Sequence, residues 1–162
     1  MDTGGEQEAT FVYVLRRVAP EHHKAEALIS GAFSLKANES GLSVYAPHLA
    51  SPRRLLQDWI DTQTAKSISP NENEKNRAKA SKRLAETGNT PEQTYAAGWR
   101  VARVSCDAFH QAGLIIEPPD AAAQGDQIGH CNVPGSRDAF LEARAVLIEA
   151  SVLLTEAETL AN

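Results

Sequence analysis

The chain has little of what a secreted, membrane-spanning or nucleic-acid-coating protein needs. Two cysteines in 162 residues are too few for a disulfide framework, so the fold must stand on its apolar core. No apolar run approaches the roughly 18 residues of a membrane-crossing helix, and no membrane partner is expected. The first ten residues, MDTGGEQEAT, are acidic where a signal peptide carries basic residues before an apolar stretch, which points to a cytoplasmic protein. Its 16 basic residues are outnumbered by 21 acidic ones, for a net charge of −5. That balance excludes uniform coating of nucleic acid and permits a local basic patch. Also missing are Gly-x-Ser-x-Gly, a Walker loop, Gly-x-Gly-x-x-Gly and His-Glu-x-x-His, which removes the common hydrolase, nucleotide and zincin readings.

What is present is globular. Apolar residues make up 42% and charged residues 23% of the chain, and a chain of this length buries roughly two-thirds of its unfolded surface. The expected organisation is a flexible N-terminus over residues 1–9 and a single α+β domain over residues 10–162. Residues 10–18 are dense in β-branched and aromatic side chains and predict a first strand. Alternation places Phe11, Tyr13, Leu15 and Arg17 on one face and Val12, Val14, Arg16 and Val18 on the other, so the strand is covered on both sides. One arginine then lies at the end of an apolar face and needs a partner. Residues 21–36 are ambiguous, with 21–27 compatible with a short helix. Further strands are predicted at 42–45, 99–105, 114–117 and 128–133.

Helix starts recur with one grammar, a hydroxyl cap followed by proline, at Ser51-Pro52, Ser69-Pro70 and Thr90-Pro91. The first helix, 52–61, has Leu55, Leu56, Trp59 and Ile60 on one face. The second, 70–87, has only Ala78, Ala80, Leu84 and Ala85 as apolar content and reads as a peripheral, basic excursion spanning 66–88. Ser136 caps a last helix expected to run to residue 160, long and amphipathic, with Phe140, Ala143, Leu147, Ala150, Leu154, Ala157 and Ala161 at spacings of three and four. Together these predict a small mixed sheet of about five short strands with three or four helices.

The order of landmarks, Leu15-Arg-Arg-Val-Ala-Pro20, Ser30-Gly-Ala-Phe33, Leu42-Ser-Val-Tyr45, Gly113 to Pro118 and Gly129-His130 to Val133-Pro-Gly135, resembles a loosely defined set of small uncharacterised bacterial proteins. Those carry an Arg-x-x-x-Pro opening, Ser-x-Ala-Phe, Leu-Ser-Val and a late His-x-x-Val-x-Gly. The resemblance covers most of the chain except residues 70–87, which look inserted. It implies a bacterial, intracellular origin and carries over no activity.

Several side-chain groups are candidates for chemistry. Cys106 and His110 have the i, i+4 spacing of a metal pair if helical, and His130 or Cys131 would have to complete the site. The adjacent His130 and Cys131 point to opposite faces of a strand, so no metal and no cofactor are expected. A small enzyme would use Arg16 or Arg17, Ser43, Tyr45 and His130 at strand ends. Cast as an ADP-ribosyltransferase-like site, it would add a late glutamate, either Glu156 or Glu158, with Glu117 as the substitute. The basic run is the other candidate: Lys75, Arg77, Lys79, Lys82 and Arg83, four of which share a helical face. No aromatic residue interleaves with them, so base stacking is not indicated and another protein ranks above nucleic acid as partner. With no catalytic signature, the expected function is that of a small soluble accessory protein in a multi-component assembly, binding through this basic helix, the C-terminal helix or both.

Overall fold

The computed structural model describes residues 11–35 and 39–161; the N-terminal segment expected to be flexible lies outside them. The framework is a five-stranded antiparallel sheet in the order β6-β4-β1-β5-β7, made of β1 (Tyr13–Val18), β4 (Gly41–Tyr45), β5 (Arg100–Ser105), β6 (His130–Pro134) and β7 (Ser151–Leu153). A two-stranded hairpin, β2 (His23–Lys24) and β3 (Ala27–Leu28), stands apart. Six α-helices occur among the described residues: α1 (Pro52–Ile68), α2 (Glu74–Thr87), α3 (Pro91–Ala96), α4 (Cys106–Gln111), α5 (Arg137–Glu149) and α6 (Glu156–Leu160). None of them is long and apolar enough to cross a membrane.

Strand β1 lies at the centre because both its faces are apolar. Val14 and Val18 point into the larger cluster with Phe33, Val44, Val104, Phe109, Phe140 and Leu147, so α4, α5 and the 3-10 turn at Ser30–Phe33 cover that side. Leu15 points the other way, into a smaller cluster with Tyr45, Leu55, Leu56, Val101 and Leu154 beneath α1. Tyr13, Tyr95, Trp99 and Leu160 pack around its margin. Val14 and Val18 on one face and Leu15 on the other thus feed two cores, the arrangement that period-2 alternation demands of a covered strand.

The expected long C-terminal helix is not formed. Its stripe holds through Phe140, Ala143 and Leu147, but α5 ends at Glu149, and Ser151–Leu153 pairs with Ala102, Arg103 and Val104 as an edge strand. Thr155 then starts α6 with a capping box: its hydroxyl accepts from Glu158 N while the Glu158 carboxylate accepts from Thr155 N. Pairing with β5 and a fresh cap satisfy the same backbone groups as continued helix, and they carry the chain from the α5 layer to the α1 layer.

Two other expectations change. The sheet is antiparallel in every pairing rather than mixed. Ser69-Pro70 stops a helix rather than starting one: α1 runs through Ile68, Ser69 is extended as a residue before proline should be, and Asn73 caps α2 by accepting from Asn76 N. Among the described residues, the backbone of 114–117 bonds to that of β6 at one point, Glu117 N to Asn132 O, and forms no strand, since Pro118 and Pro119 can donate nothing further. Residues 21–27 form a turn and hairpin instead of a helix.

That hairpin is closed by Ala25 at φ 52 and Glu26 at φ 65, left-handed values that cost a side chain with a Cβ about 1 kcal/mol each. Replacing the pair with Asn-Gly, the sequence such a two-residue turn prefers, is expected to raise stability by about 1 kcal/mol in chemical denaturation. An unchanged or lower midpoint would show that the turn conformation is not the one described.

Candidate functional site

Antiparallel pairing of β4 with β6 sets Ser43 opposite Asn132 and Tyr45 opposite His130, so four polar side chains share one face. His130 Nε2 lies 2.8 Å from Ser43 Oγ. The Tyr45 and His130 rings meet edge to face with centroids 5.6 Å apart. Asn132 donates through Nδ2 to Glu117 Oε1 at 3.1 Å, and its Oδ1 occupies the place a Cβ at Gly41 would need. Ser43 is exposed, His130 and Asn132 are half-buried and Tyr45 is buried. Burial lowers the His130 pKa below its ordinary 6.5, while the negative charge of Asp126 opposes that shift.

The two arginines of β1 divide between the faces. Arg17 lies on the Ser43 side, with its guanidinium carbon 6.0 Å from the Tyr45 ring centre, and donates to Leu55 O of α1 at 2.8 Å. Arg16 lies on the other side. It donates from Nε to Ala32 O and from a terminal nitrogen to Ser43 O, each at 2.7 Å. Burial, reinforced by the charge of Arg17, lowers its pKa to about 10, which leaves it protonated at neutral pH. Of the five residues expected at a polar enzyme site, Arg17, Ser43, Tyr45 and His130 therefore share a face, and Arg16 braces that face from behind. Glu117 stands beside the site through Asn132, whereas Glu158 is committed to the α6 cap.

The candidate metal ligands separate. Cys106 and Cys131 are both buried in the larger core, burial pushing each thiol up to about 11, and His110 is exposed on α4. His130 points away from Cys131 across the strand. Among the described residues no three His, Cys, Asp or Glu side chains gather closely enough to hold a metal ion.

On α2 the five basic residues also divide. Arg77 turns back to donate to Ser69 O and Glu72 O, and Arg83 reaches Gln63 Oε1 of α1 at 3.5 Å. Lys75, Lys79 and Lys82 are exposed and make no hydrogen bond or ion pair among the described residues.

Sequence reasoning missed Asp58. It lies on the buried side of α1, 5% exposed, with Arg54 Nε 3.6 Å from Oδ2 and no hydrogen-bond partner for that oxygen among the described residues. It lines two open clefts of about 340 and 360 Å³ that share Arg54, Asp58 and Asp61. Desolvation raises its pKa, an effect that the charges of Arg54 and Arg17 oppose and those of Asp61 and Asp126 reinforce. The sequence signal was available: an aspartate at 58 inside the Leu55, Leu56, Trp59, Ile60 stripe breaks a buried face.

Compared with known proteins, the chain matches no family model, no curated protein and no solved structure.

Asp58 generates a pH prediction. A carboxyl whose pKa is higher folded than unfolded binds its proton first in the native state, so its ionised form weakens the fold above that pKa and the penalty fades as pH falls toward 3.8. Asp58→Asn is expected to be about 1 kcal/mol more stable than the parent at pH 7, with the advantage shrinking as pH falls toward 4. Urea midpoints across that range check it; a variant less stable at pH 7 would mean that the Arg54 pairing outweighs desolvation.

Proposed function

We propose that the protein is a small bacterial accessory protein acting within a multi-component assembly, and that it docks an acidic face of another protein against the lysine face of α2. The observation that carries this reading is the division of labour on that helix. Arg77 and Arg83 are spent on internal bonds, Ala80 is the only residue of α2 that is buried, and Lys75, Lys79 and Lys82 are left outward. Three ammonium groups along one stretch of helix attract a carboxylate-rich surface over a range of roughly 10 Å at 0.1 M salt. A protein partner suits the chain better than nucleic acid, because a net charge of −5 repels phosphate away from the patch and no aromatic side chain stands among the lysines to stack a base. The C-terminal region contributes less than its sequence promised, since the acidic surface is split between α5 and α6.

The test is a charge reversal. Lys75→Glu, Lys79→Glu and Lys82→Glu in one chain touch no buried residue and are expected to leave the thermal midpoint within a few degrees. Recovery of the native partner from the host at about 0.1 M salt is expected to fall at least tenfold, while Arg137→Glu with Arg144→Glu, exposed on α5, leaves it unchanged. Partner recovery at the parent level by the folded α2 variant would overturn the reading.

A further inference from the structure

Beyond any docking through α2, we propose that Ser43 is a nucleophile activated by His130 and that the β4–β6 face accepts an acyl group from a carboxylic ester. The Oγ–Nε2 separation of 2.8 Å is hydrogen-bonding distance for direct proton transfer. The hydroxyl is exposed, so an ester can reach it, while the imidazole is half-buried against the Tyr45 ring and carried on a paired strand. Both members sit on the sheet, which fixes their geometry better than loops would. Arg16 adds to that rigidity by holding the Ser43 carbonyl from the opposite face.

The step balances. Ser43 Oγ attacks the carbonyl carbon of the ester, forming a new C–O bond, and its proton passes to His130 Nε2. The bond to the departing alkoxide breaks, that proton goes from His130 to the leaving oxygen, and Ser43 carries the acyl group. Water activated by the same imidazole returns the free acid. The charged groups around His130 suit the role. Burial lowers the pKa of the ring and so favours its neutral form, whose Nδ1-protonated tautomer presents a lone pair at Nε2, and the carboxylate of Asp126 on the Gly125–Gln127 turn favours the imidazolium as it forms. Arg17 lies beyond Tyr45, and Glu117 is engaged by Asn132.

The probe is 4-nitrophenyl acetate with the full chain, read by nitrophenolate release and by mass spectrometry of the digested protein. The expected result is one acetyl group on Ser43, absent in Ser43→Ala, with acylation about a hundredfold slower in His130→Gln. In the parent, the initial rate rises as the imidazole loses its proton and reaches half its plateau below pH 6.5. Should His130→Gln fail to fold, the parent's pH profile decides: a half-plateau below that value supports the proposal, and a rate that climbs only above about pH 8, as lysine acylation does, overturns it. Acetyl groups found only on lysines, or Ser43 acylated at the parent rate in folded His130→Gln, would overturn it equally. The α2 charge reversal is expected to leave this acylation intact, so the two readings fail independently.

Discussion

Two adjacent arginines on the central strand hold the layers of this protein in place. Alternation sends Arg16 and Arg17 to opposite faces of β1, and each ends on a backbone carbonyl of whatever covers that face. Arg16 ties β1 to the 3-10 turn at Ala32 and to β4 at Ser43; Arg17 ties it to the first turn of α1 at Leu55. A guanidinium donor to a carbonyl is a charge-assisted bond, worth roughly 1.5–3 kcal/mol where a neutral pair contributes about 1. It also fixes direction, which dispersion between aliphatic side chains does not. The registers of turn, strand and helix relative to β1 are therefore set by polar bonds, while the valines and leucines beside them supply the bulk of the burial.

Arg17 has a second consequence, for the charge beneath α1. Docking that helix onto the sheet buries Leu55, Leu56, Trp59 and Ile60, and the same face carries Asp58 down with them. Two guanidiniums, those of Arg54 and Arg17, lie close enough to favour the ionised carboxylate, yet burial still raises its pKa. Desolvation wins because the Arg54 nitrogen lies 3.6 Å from Oδ2 and no donor among the described residues reaches that oxygen, so the Coulomb gain there comes without the hydrogen bond that normally helps offset burying a charge. Helix α1 is held by Arg17 and apolar packing against a local electrostatic cost. A retained cost of this kind sits next to the two clefts that Asp58 lines rather than in the hydrophobic interior.

The sequence made the covered central strand legible because Val14, Leu15 and Val18 together leave no solvent face, and it made the starts of α1, α3 and α5 legible through Ser51, Thr90 and Ser136, each of which does cap its helix. The failure at residues 150–154 has a clear cause. An apolar stripe at spacings of three and four continued through Leu154, and periodicity alone could not register that Ala102–Val104 offered an unpaired strand edge. The local signal that competed with the stripe was Thr155 three residues before Glu158, a capping box inside a supposed helix. Ser69-Pro70 failed for a related reason: a hydroxyl before proline fits a helix start and equally a helix stop, and the chain had enough helical length in α1 to choose the stop. The polar site was half legible. Alternation on one strand puts Ser43 and Tyr45, two residues apart, on the same face, but which of Arg16 and Arg17 joins them depends on how β1 is paired with β4, a tertiary fact.

The open part of the sheet follows from the same geometry. Helix α1 packs over Leu15, Tyr45 and Val101, while on the same face of the β4–β6 ladder Ser43 stands exposed and His130 and Asn132 are half-buried. Position 41 is glycine there because the Asn132 amide fills the space a side chain would take. A ladder facing water needs polar side chains, but it does not need a hydroxyl and an imidazole at 2.8 Å, an aromatic edge fixing the ring and an amide tethered to a carboxylate. Solvation alone would be served by lysine or threonine, each free to move. Here Ser43, His130 and Asn132 each have a side-chain hydrogen-bond partner, and burial lowers the pKa of the ring that partners Ser43. The β4–β6 face is ordered to a degree that solubility does not require.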